Sequence, residues 1–343
     1  MSEESMDYDY GQLGHKKKHP VRATIITLLS LVVIAAVIAG GYLFSLAKSF
    51  DNKSEKIESA FPAETLRPQK KDTGAQNILL LGSDSGGGSG EKENLNGVPN
   101  AGRSDTIMLV HVPADRRNVF VTSIMRDTWV PIPAKGTHKI NAAFSYGGVP
   151  LAVQTIETLL DTRIDHVASI DMEGFKGLTE AIGGVDVNVP ASFTSGYGHY
   201  DFTQGKAHLE GDKALAFVRE RKSFKDGDYQ RVKNQQNFIK AVVSELMTPE
   251  TLANPAKLSD VVNEISPYVA VDDSFGAVEV GKLGVSLAGV RSKNMHFFTL
   301  PNLGTGRSAD GQSIVVPDND AIDELATALG DDNVDEFVRS HGL

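Results

Sequence analysis

The side chains best suited to chemistry in this chain are arginines and aspartates that recur in short clusters. They are Asp84, Arg103-Ser104-Asp105, Arg126-Asp127, Arg219-Glu220-Arg221, and a last set of Asp228, Arg231 and Gln235. A guanidinium fork matches two phosphate oxygens at once, and a carboxylate suits a hard divalent cation. Arg219 and Arg221 share one face if their segment is extended, and two adjacent guanidiniums repel unless an anion lies between them. Asp228, Arg231 and Gln235 stand at i, i+3 and i+7, one face of a helix near its start, where the dipole also favours an anion. The pattern points to a pyrophosphate site with Asp84 and Asp105 as candidate metal ligands. Each cluster also has a plainer reading. Arg219 and Arg221 could be exposed and paired with Glu210 or Glu220. Asp105 could cap a turn, Asp84 could make an Asx turn, and Asp127 could orient an arginine or cap Thr128-Trp129.

Other chemistries fare worse. The chain has no cysteine, which excludes disulfides, thiolate catalysis and Cys-based metal sites. Residues 83–90 are Gly-rich but lack the Gly-Lys-Ser/Thr ending of a phosphate loop. No G-x-S-x-G elbow occurs, and His111, His138, His166, His199 and His208 fall in no zinc-binding spacing. A net charge of −10 over 343 residues argues against nucleic acid as a partner.

Rigid elements must hold such residues, and the hydrophobic pattern supplies them. Apolar runs at 76–82, 106–112, 119–125, 166–170 and 295–300 read as strands, and 185–189 alternates as a half-buried strand does. Helical stripes cover 151–160, 174–182, 228–246, 274–288 and 318–329. Gly183-Gly184 supplies a stop for the second of these, and Asp318 or Asn319 a start for the last. Asp105 then precedes one strand and Arg126-Asp127 ends another, where α/β sheets place their ligand clefts. The alternation predicts an α/β fold with a mixed central sheet flanked by helices. Residues 83–102 form a long Gly-, Ser- and Asn-rich loop, a kind of insertion that is more often functional than structural.

The N-terminal region is of another kind. Residues 25–44 read IITLLSLVVIAAVIAGGYLF without a charge, and about 20 apolar residues match a bilayer core. Lys16, Lys17, Lys18 and Arg22 precede this run, which places the N-terminus in the cytoplasm and the rest of the chain outside. The expected organisation is a cytoplasmic tail at 1–22, a transmembrane helix at 23–46, an extracytoplasmic linker at 47–75 and one catalytic domain at 76–343.

Taken together, these segments resemble the LytR-CpsA-Psr family of cell-envelope phosphotransferases. The matching pieces are NILLLGSDS at 77–85, RSDTIMLVHV at 103–112, SIMRDTWVPIP at 123–133, KINAAFSYGG at 139–148, IDHVASIDMEGFKGLTEAIGGVDVNVP at 164–190, GDKALAFVRERK at 211–222, and D-x-x-R-x-x-x-Q at 228–235. The resemblance is close over 76–247 and looser beyond. It implies transfer of a phosphate-linked glycopolymer from a polyprenyl-pyrophosphate carrier to peptidoglycan, at the membrane, with formation of a phosphodiester. It also implies an apolar cavity for the isoprenoid. Asp84 and Asp105 would be metal-side carboxylates for Mg2+, with Mn2+ as the alternative ion. Arg103, Arg126, Arg219, Arg221 and Arg231 would contact phosphate with Gln235 beside them, and Asp105, Arg126, Arg219 and Arg221 would form the catalytic set. If free of metal, Asp105 or Asp84 could be the base.

The chain departs from the family pattern twice. The loop after Asp84 is long and its only basic residue before Arg103 is Lys92, where the family commonly has an arginine. Met125 stands where proline is common, and this exchange is expected to alter only backbone stiffness. Two competing readings use the same residues: a lipid pyrophosphatase with water as acceptor, and a non-catalytic envelope regulator, the older transcriptional-attenuator view. Direct DNA binding is disfavoured, because the cytoplasmic part is short and has no helix-turn-helix pattern.

Overall fold

The structure is a computed structural model that describes residues 40–83, 104–252 and 254–343. Contacts divide the chain into one unit ending at Ser45 and a second from Leu46 to Leu343. In the first unit the described residues, 40–45, are helical. Most of the expected membrane span lies outside the described residues, and among these no helix is long and apolar enough to cross a membrane.

The strands of the second unit, in chain order, are β1 (Glu55–Ile57), β2 (Gln76–Ser83), β3 (Ser104–Val112), β4 (Val119–Ile124), β5 (Trp129–Ile132), β6 (Gly136–Lys139), β7 (His166–Ile170), β8 (Val185–Val189), β9 (Phe193–Thr194), β10 (Asp201–Phe202), β11 (Gly205–Leu209), β12 (Val269–Asp272), β13 (Met295–Thr299), β14 (Asn302–Arg307) and β15 (Ser313–Pro317). The main helices are α1 (Ala142–Leu160), α2 (Met172–Ile182), α3 (Gly211–Arg219), α4 (Asp228–Leu246), α5 (Pro255–Ile265), α6 (Ala277–Ser286), α7 (Asn319–Gly330) and α8 (Val334–His341).

Seven strands form a mixed sheet in the order β1-β12-β7-β2-β3-β4-β13. β2 runs parallel to β7 and antiparallel to β3, and β4 runs parallel to β13. The central strands are apolar on both faces because both are covered. Leu79, Leu81, Ile107 and Leu109 face a layer with α1, α7 and α8, where Val153, Ile156, Leu325 and Phe337 meet them. Met108 and Val121 face the opposite layer, packed with Ile239 of α4 and Leu283 of α6. A further cluster joins α2, α3 and α4 to β8 and β11 through Phe217, Phe238, Leu215 and Val187.

Several boundaries differ from the sequence expectation for identifiable reasons. The stretch 47–75, expected as a linker, belongs to the folded unit: residues 46–53 are helical and β1 pairs in parallel with β12, burying Ile57 completely. A three-residue strand offers no periodicity to read. The stripe at 151–160 continues a helical segment that starts at Ala142, broken at Gly147 and Gly148. Gly148 has φ 63°, a left-handed conformation that glycine adopts without strain, and Pro150 sits in the first turn after the break. Gly183 stops α2 as a left-handed cap with φ 83°, and the Asp318 side chain accepts from Ala321 N at the start of α7.

Candidate active site

The arginines expected to act together come from three elements. Arg126 follows β4 in a tight turn: Thr128 N and Oγ1 both donate to Met125 O, and Asn141 N donates to Arg126 O. Arg219 is the last residue of α3, and the chain becomes extended at Glu220 before Arg221. The two arginines thus flank a helix end rather than lie along a strand. Arg231 and Gln235 lie on the first two turns of α4. This helix is pinned by three polar contacts: Tyr229 Oη donates to Asn302 Oδ1 at 2.8 Å, Gln236 Nε2 to Ser123 Oγ at 2.9 Å, and Gln235 Nε2 to the Val218 carbonyl at 3.3 Å.

The side chain of Asp228 gathers three guanidiniums. Arg231 Nη2 lies 3.2 Å from its Oδ1, Arg221 Nη1 3.6 Å from the same oxygen, and Arg126 Nε 3.7 Å from Oδ2. Among the described residues, one carboxylate therefore stands against three permanent cations, two of them with side chains no more than 16% exposed. The residual positive charge sits in a partly desolvated place, where an anion of two or more charges is attracted most strongly.

This cluster forms the polar end of a cavity of about 800 Å3. Arg126, Arg219, Arg221, Lys222, Arg231 and Gln235 are in its wall. The rest is mainly apolar, with Leu80 and Met108 from the sheet, Phe175 and Leu178 from α2, and Phe238, Ile239 and Val242 from α4. Helix α4 is thus a graded wall. Its cavity-lining side runs from Arg231 to Val242, about 16 Å at 1.5 Å per residue, passing from cationic to hydrocarbon.

Tyr197 has no role in the sequence reading, and Glu220 only that of a possible partner for Arg219 or Arg221, yet the two build the rim. The guanidinium of Arg219 lies over the Tyr197 ring, 4.9 Å from its centroid. Glu220, only 5% exposed, turns inward and accepts from Gly196 N at 2.5 Å and Ser223 N at 3.0 Å. Burial opposes its ionisation, but backbone donors from Gly196, Ser223, Lys222 and Arg221 outweigh that and hold the carboxyl below its ordinary value. Glu220 therefore fastens the loop before β10 to the arginine turn, and is not spent in pairing with either arginine. The available sequence signal was its position between two arginines, which in an extended chain sends it to the opposite side. Lys222 adds a cation to the wall that the sequence reading left without a role.

Asp127 pairs with Lys139, Oδ1 to Nζ at 3.2 Å, and so answers a lysine where an arginine partner or a cap was expected. Met125 does more than change backbone stiffness. Its side chain, 3% exposed, packs with Val232, Val315 and Tyr229 and ties the Arg126 turn to α4.

Asp84 and Arg103 lie outside the described residues, and Asp105 is described only through its backbone in β3. Ser83 and Ser104 are cross-strand partners at the open ends of β2 and β3, beyond a register shift after Gly82. In sequence, Asp84 and Asp105 each follow one member of that pair. By residue type both carboxylates suit a hard divalent cation, and their side chains lie outside the described residues. Among the described residues, no group of three His, Asp or Glu side chains forms a metal site.

Residues 41–331 match the LytR_cpsA_psr family. A polyisoprenyl-teichoic acid–peptidoglycan teichoic acid transferase TagU of Enterococcus faecalis is 32% identical over 262 residues, covering 76% of this chain and 81% of that protein. A TagU of Halalkalibacterium halodurans is 30% identical over 295 residues, covering 80% of this chain and 91% of the relative. Among solved structures, Bacillus subtilis TagV superposes with a TM-score of 0.63 at 26% identity, over 77% of this chain and 98% of that one. The LytR-Csp2A-Psr enzyme of Actinomyces oris shares the fold, with a TM-score of 0.62 at 22% identity over 81% of this chain and 97% of its own.

Proposed function

The chain belongs to the LytR_cpsA_psr family, and from that membership we propose that it transfers a phosphate-linked glycopolymer from a polyprenyl-pyrophosphate carrier to peptidoglycan. The relatives from E. faecalis and H. halodurans are named for a reaction of this class. The observation that carries the reading is the junction of Arg126, Arg219, Arg221 and Arg231 with a mainly apolar cavity of about 800 Å3. An amphiphile with a dianionic or trianionic head and a hydrocarbon tail satisfies both ends at once, and few other metabolite classes do.

In this reaction the acceptor hydroxyl oxygen bonds to the glycan-side phosphorus. The bond from that phosphorus to the bridging oxygen breaks, and lipid phosphate leaves. The hydroxyl proton ends on the departing lipid phosphate, so charge is conserved. Little covalent work falls to the protein; positioning and charge neutralisation carry the rate. Arg231, Arg126 and Arg221, oriented by Asp228, hold the pyrophosphate oxygens and stabilise the charge that grows on the leaving phosphate. Phe175, Phe238 and Val242 hold the tail and keep water from the reacting phosphorus, which favours transfer over hydrolysis. Asp84 and Asp105 would hold Mg2+, or Mn2+ in its place, which when bound would neutralise phosphate charge as a Lewis acid. Residues 23–46 would anchor the chain in the membrane with the N-terminus in the cytoplasm, so that donor and acceptor are both met outside.

The test uses the full-length chain in detergent with a lipid-pyrophosphate-linked glycan, Mg2+ and peptidoglycan oligomers, followed by mass spectrometry. A phosphodiester-linked glycan–peptidoglycan adduct, lost in Arg231→Ala, is the expected result. Lipid phosphate released at the same rate with and without peptidoglycan, and no adduct, would identify a pyrophosphatase. Donor bound without any turnover would identify a regulator. Chelation of divalent cations should stop transfer; persistence of the full rate would remove the metal from the scheme.

A further inference from the structure

A second cavity of about 500 Å3 meets the first at the arginine cluster. Among the described residues, the two share Arg126 and Arg221 and no other wall residue. Their chemistry is opposite. Where the first is lined by Phe175, Phe238 and Val242, the second is lined by Asp127, His138, Lys139, Asn141, Ser145, Tyr146 and Gln312. The family-like segments 123–133 and 139–148 contain five of these residues, but the transfer chemistry so far gives none of them a role.

The fold builds this second wall with some care. The β5–β6 hairpin presents Trp129, His138 and Lys139, and Asn141 is held against Arg126 by its backbone. The break at Gly147 and Gly148 ends the first turn of α1, so that Ser145 and Tyr146 stand on a separate turn facing the hairpin. Trp129, His138 and Tyr146 form a ladder of edge-on rings, with centroids 6.2 and 5.3 Å apart. Tyr146 at its outer end is 45% exposed, although it is a large aromatic. An exposed aromatic beside amides, hydroxyls and a cation is the composition that sugar rings require: an apolar ring face to stack on and donors and acceptors for their hydroxyls. Among the described residues, Lys139, Arg126 and Arg221 stand against Asp127 and Asp228, three cations to two carboxylates, so a carbohydrate carrying carboxylates fits better than a neutral one.

We propose that this polar cavity, resting on the transfer reading above, is the acceptor subsite and takes a peptidoglycan strand, a glycan with carboxylate-bearing substituents. Placement decides between acceptor and donor glycan. In phosphoryl transfer the entering and leaving oxygens lie roughly in line across the phosphorus. With the lipid drawn into the apolar cavity and its phosphate at the arginines, the entering hydroxyl comes from the cavity that meets it at Arg126 and Arg221. The same two guanidiniums then face both reacting partners, while Arg231 and Gln235 belong to the donor cavity alone.

The experiment measures binding, so it does not depend on turnover. Full-length chain in detergent is titrated calorimetrically with an uncrosslinked peptidoglycan tetrasaccharide bearing its stem peptides, and separately with a lipid-pyrophosphate-linked glycan. Tyr146→Ala and Gln312→Ala, both at exposed positions, are compared with the parent chain, and a melting curve checks the fold. The expected result is a Kd for the tetrasaccharide raised at least tenfold in Tyr146→Ala and several-fold in Gln312→Ala, with the lipid-linked donor bound as before. No binding of the tetrasaccharide by the parent, or a Kd within twofold in both variants, overturns the proposal. So does a loss confined to the donor, which would make this the donor's glycan site. If the parent binds the tetrasaccharide through Tyr146 yet forms no adduct with any donor, the transfer reading falls and the glycan subsite stands.

Discussion

Two buried arginine sites in this protein look alike in composition and differ in charge balance. Arg67 and Glu157 form a closed pair: Nη2 and Nε reach the same carboxylate at 2.7 and 3.1 Å, Nη2 also reaches the Ile164 carbonyl, and the Ile164 amide returns to Glu157. Their side chains are 7% and 1% exposed, and the Phe61 ring stacks on the guanidinium. Around Asp228 three guanidiniums share one carboxylate at 3.2 to 3.7 Å, and the cluster opens on two cavities. The first site is complete without a ligand. Among the described residues, the second sets three guanidiniums against one carboxylate at longer range, a balance that suits a pyrophosphate. The lesson is that a buried arginine signals function only when the local charge ledger does not close.

That contrast can be broken most decisively at Arg231. Arg231→Ala should lower kcat/KM for transfer by about 10^3-fold, as loss of a cation at a transferring phosphate does, while the melting temperature shifts little. An unfolded variant would make this site structural like the first. Glu157→Ala should do the reverse. Removing one partner of a buried pair strands the other, at a cost of about 3–5 kcal/mol in denaturant unfolding, with transfer per folded molecule unchanged. A transfer defect without a stability loss would erase the distinction.

A finer test is Asp228→Asn. It removes the carboxylate charge that Arg126, Arg221 and Arg231 share, worth about 1 kcal/mol against a charge 4 Å away in water. Inorganic pyrophosphate should bind roughly fivefold tighter at low salt, with the gain fading as salt rises. Weaker binding would mean that orienting the arginines matters more than their charge surplus. The smallest effect concerns acid. The folded-state pKa of Glu220 is lowered, so its contribution to stability is fully present above the ordinary glutamate range near about 4.3 and is lost as pH falls through the lower folded value. Glu220→Gln should lack that acid-side loss; an unchanged slope of stability with pH below 5 would show that the backbone donors do not hold its charge.

Much of this protein was written in local pattern. The run at 76–82 became β2 because a nearly continuous apolar sequence has one comfortable place, the middle of a covered sheet. Residues 228–246 became α4 because the 3.6-residue period places Phe238 and Val242 below Arg231 on one face. Arg126, Arg219, Arg221 and Arg231, which line one cavity, were singled out by residue type and by the family likeness before any contact was known. Short elements could not be read in this way. β1, the β5–β6 hairpin and the loop carrying Tyr197 are too brief for a period, and their positions depend on partners more than 20 residues away or on a single turn.

What tertiary structure alone decided is the balance of charges in space. Sequence spacing sets which side chains share a helix face, and that is a matter of a few residues and fixed geometry. Whether Glu220 answers Arg219 or the Gly196 amide, whether Asp127 meets an arginine or Lys139, and whether Asp228 serves one guanidinium or three depend on how β4, α3 and α4 converge. Convergence is fixed by burial of apolar surface summed over the whole sheet, a non-directional force that carries no local signature at the polar residues it brings together.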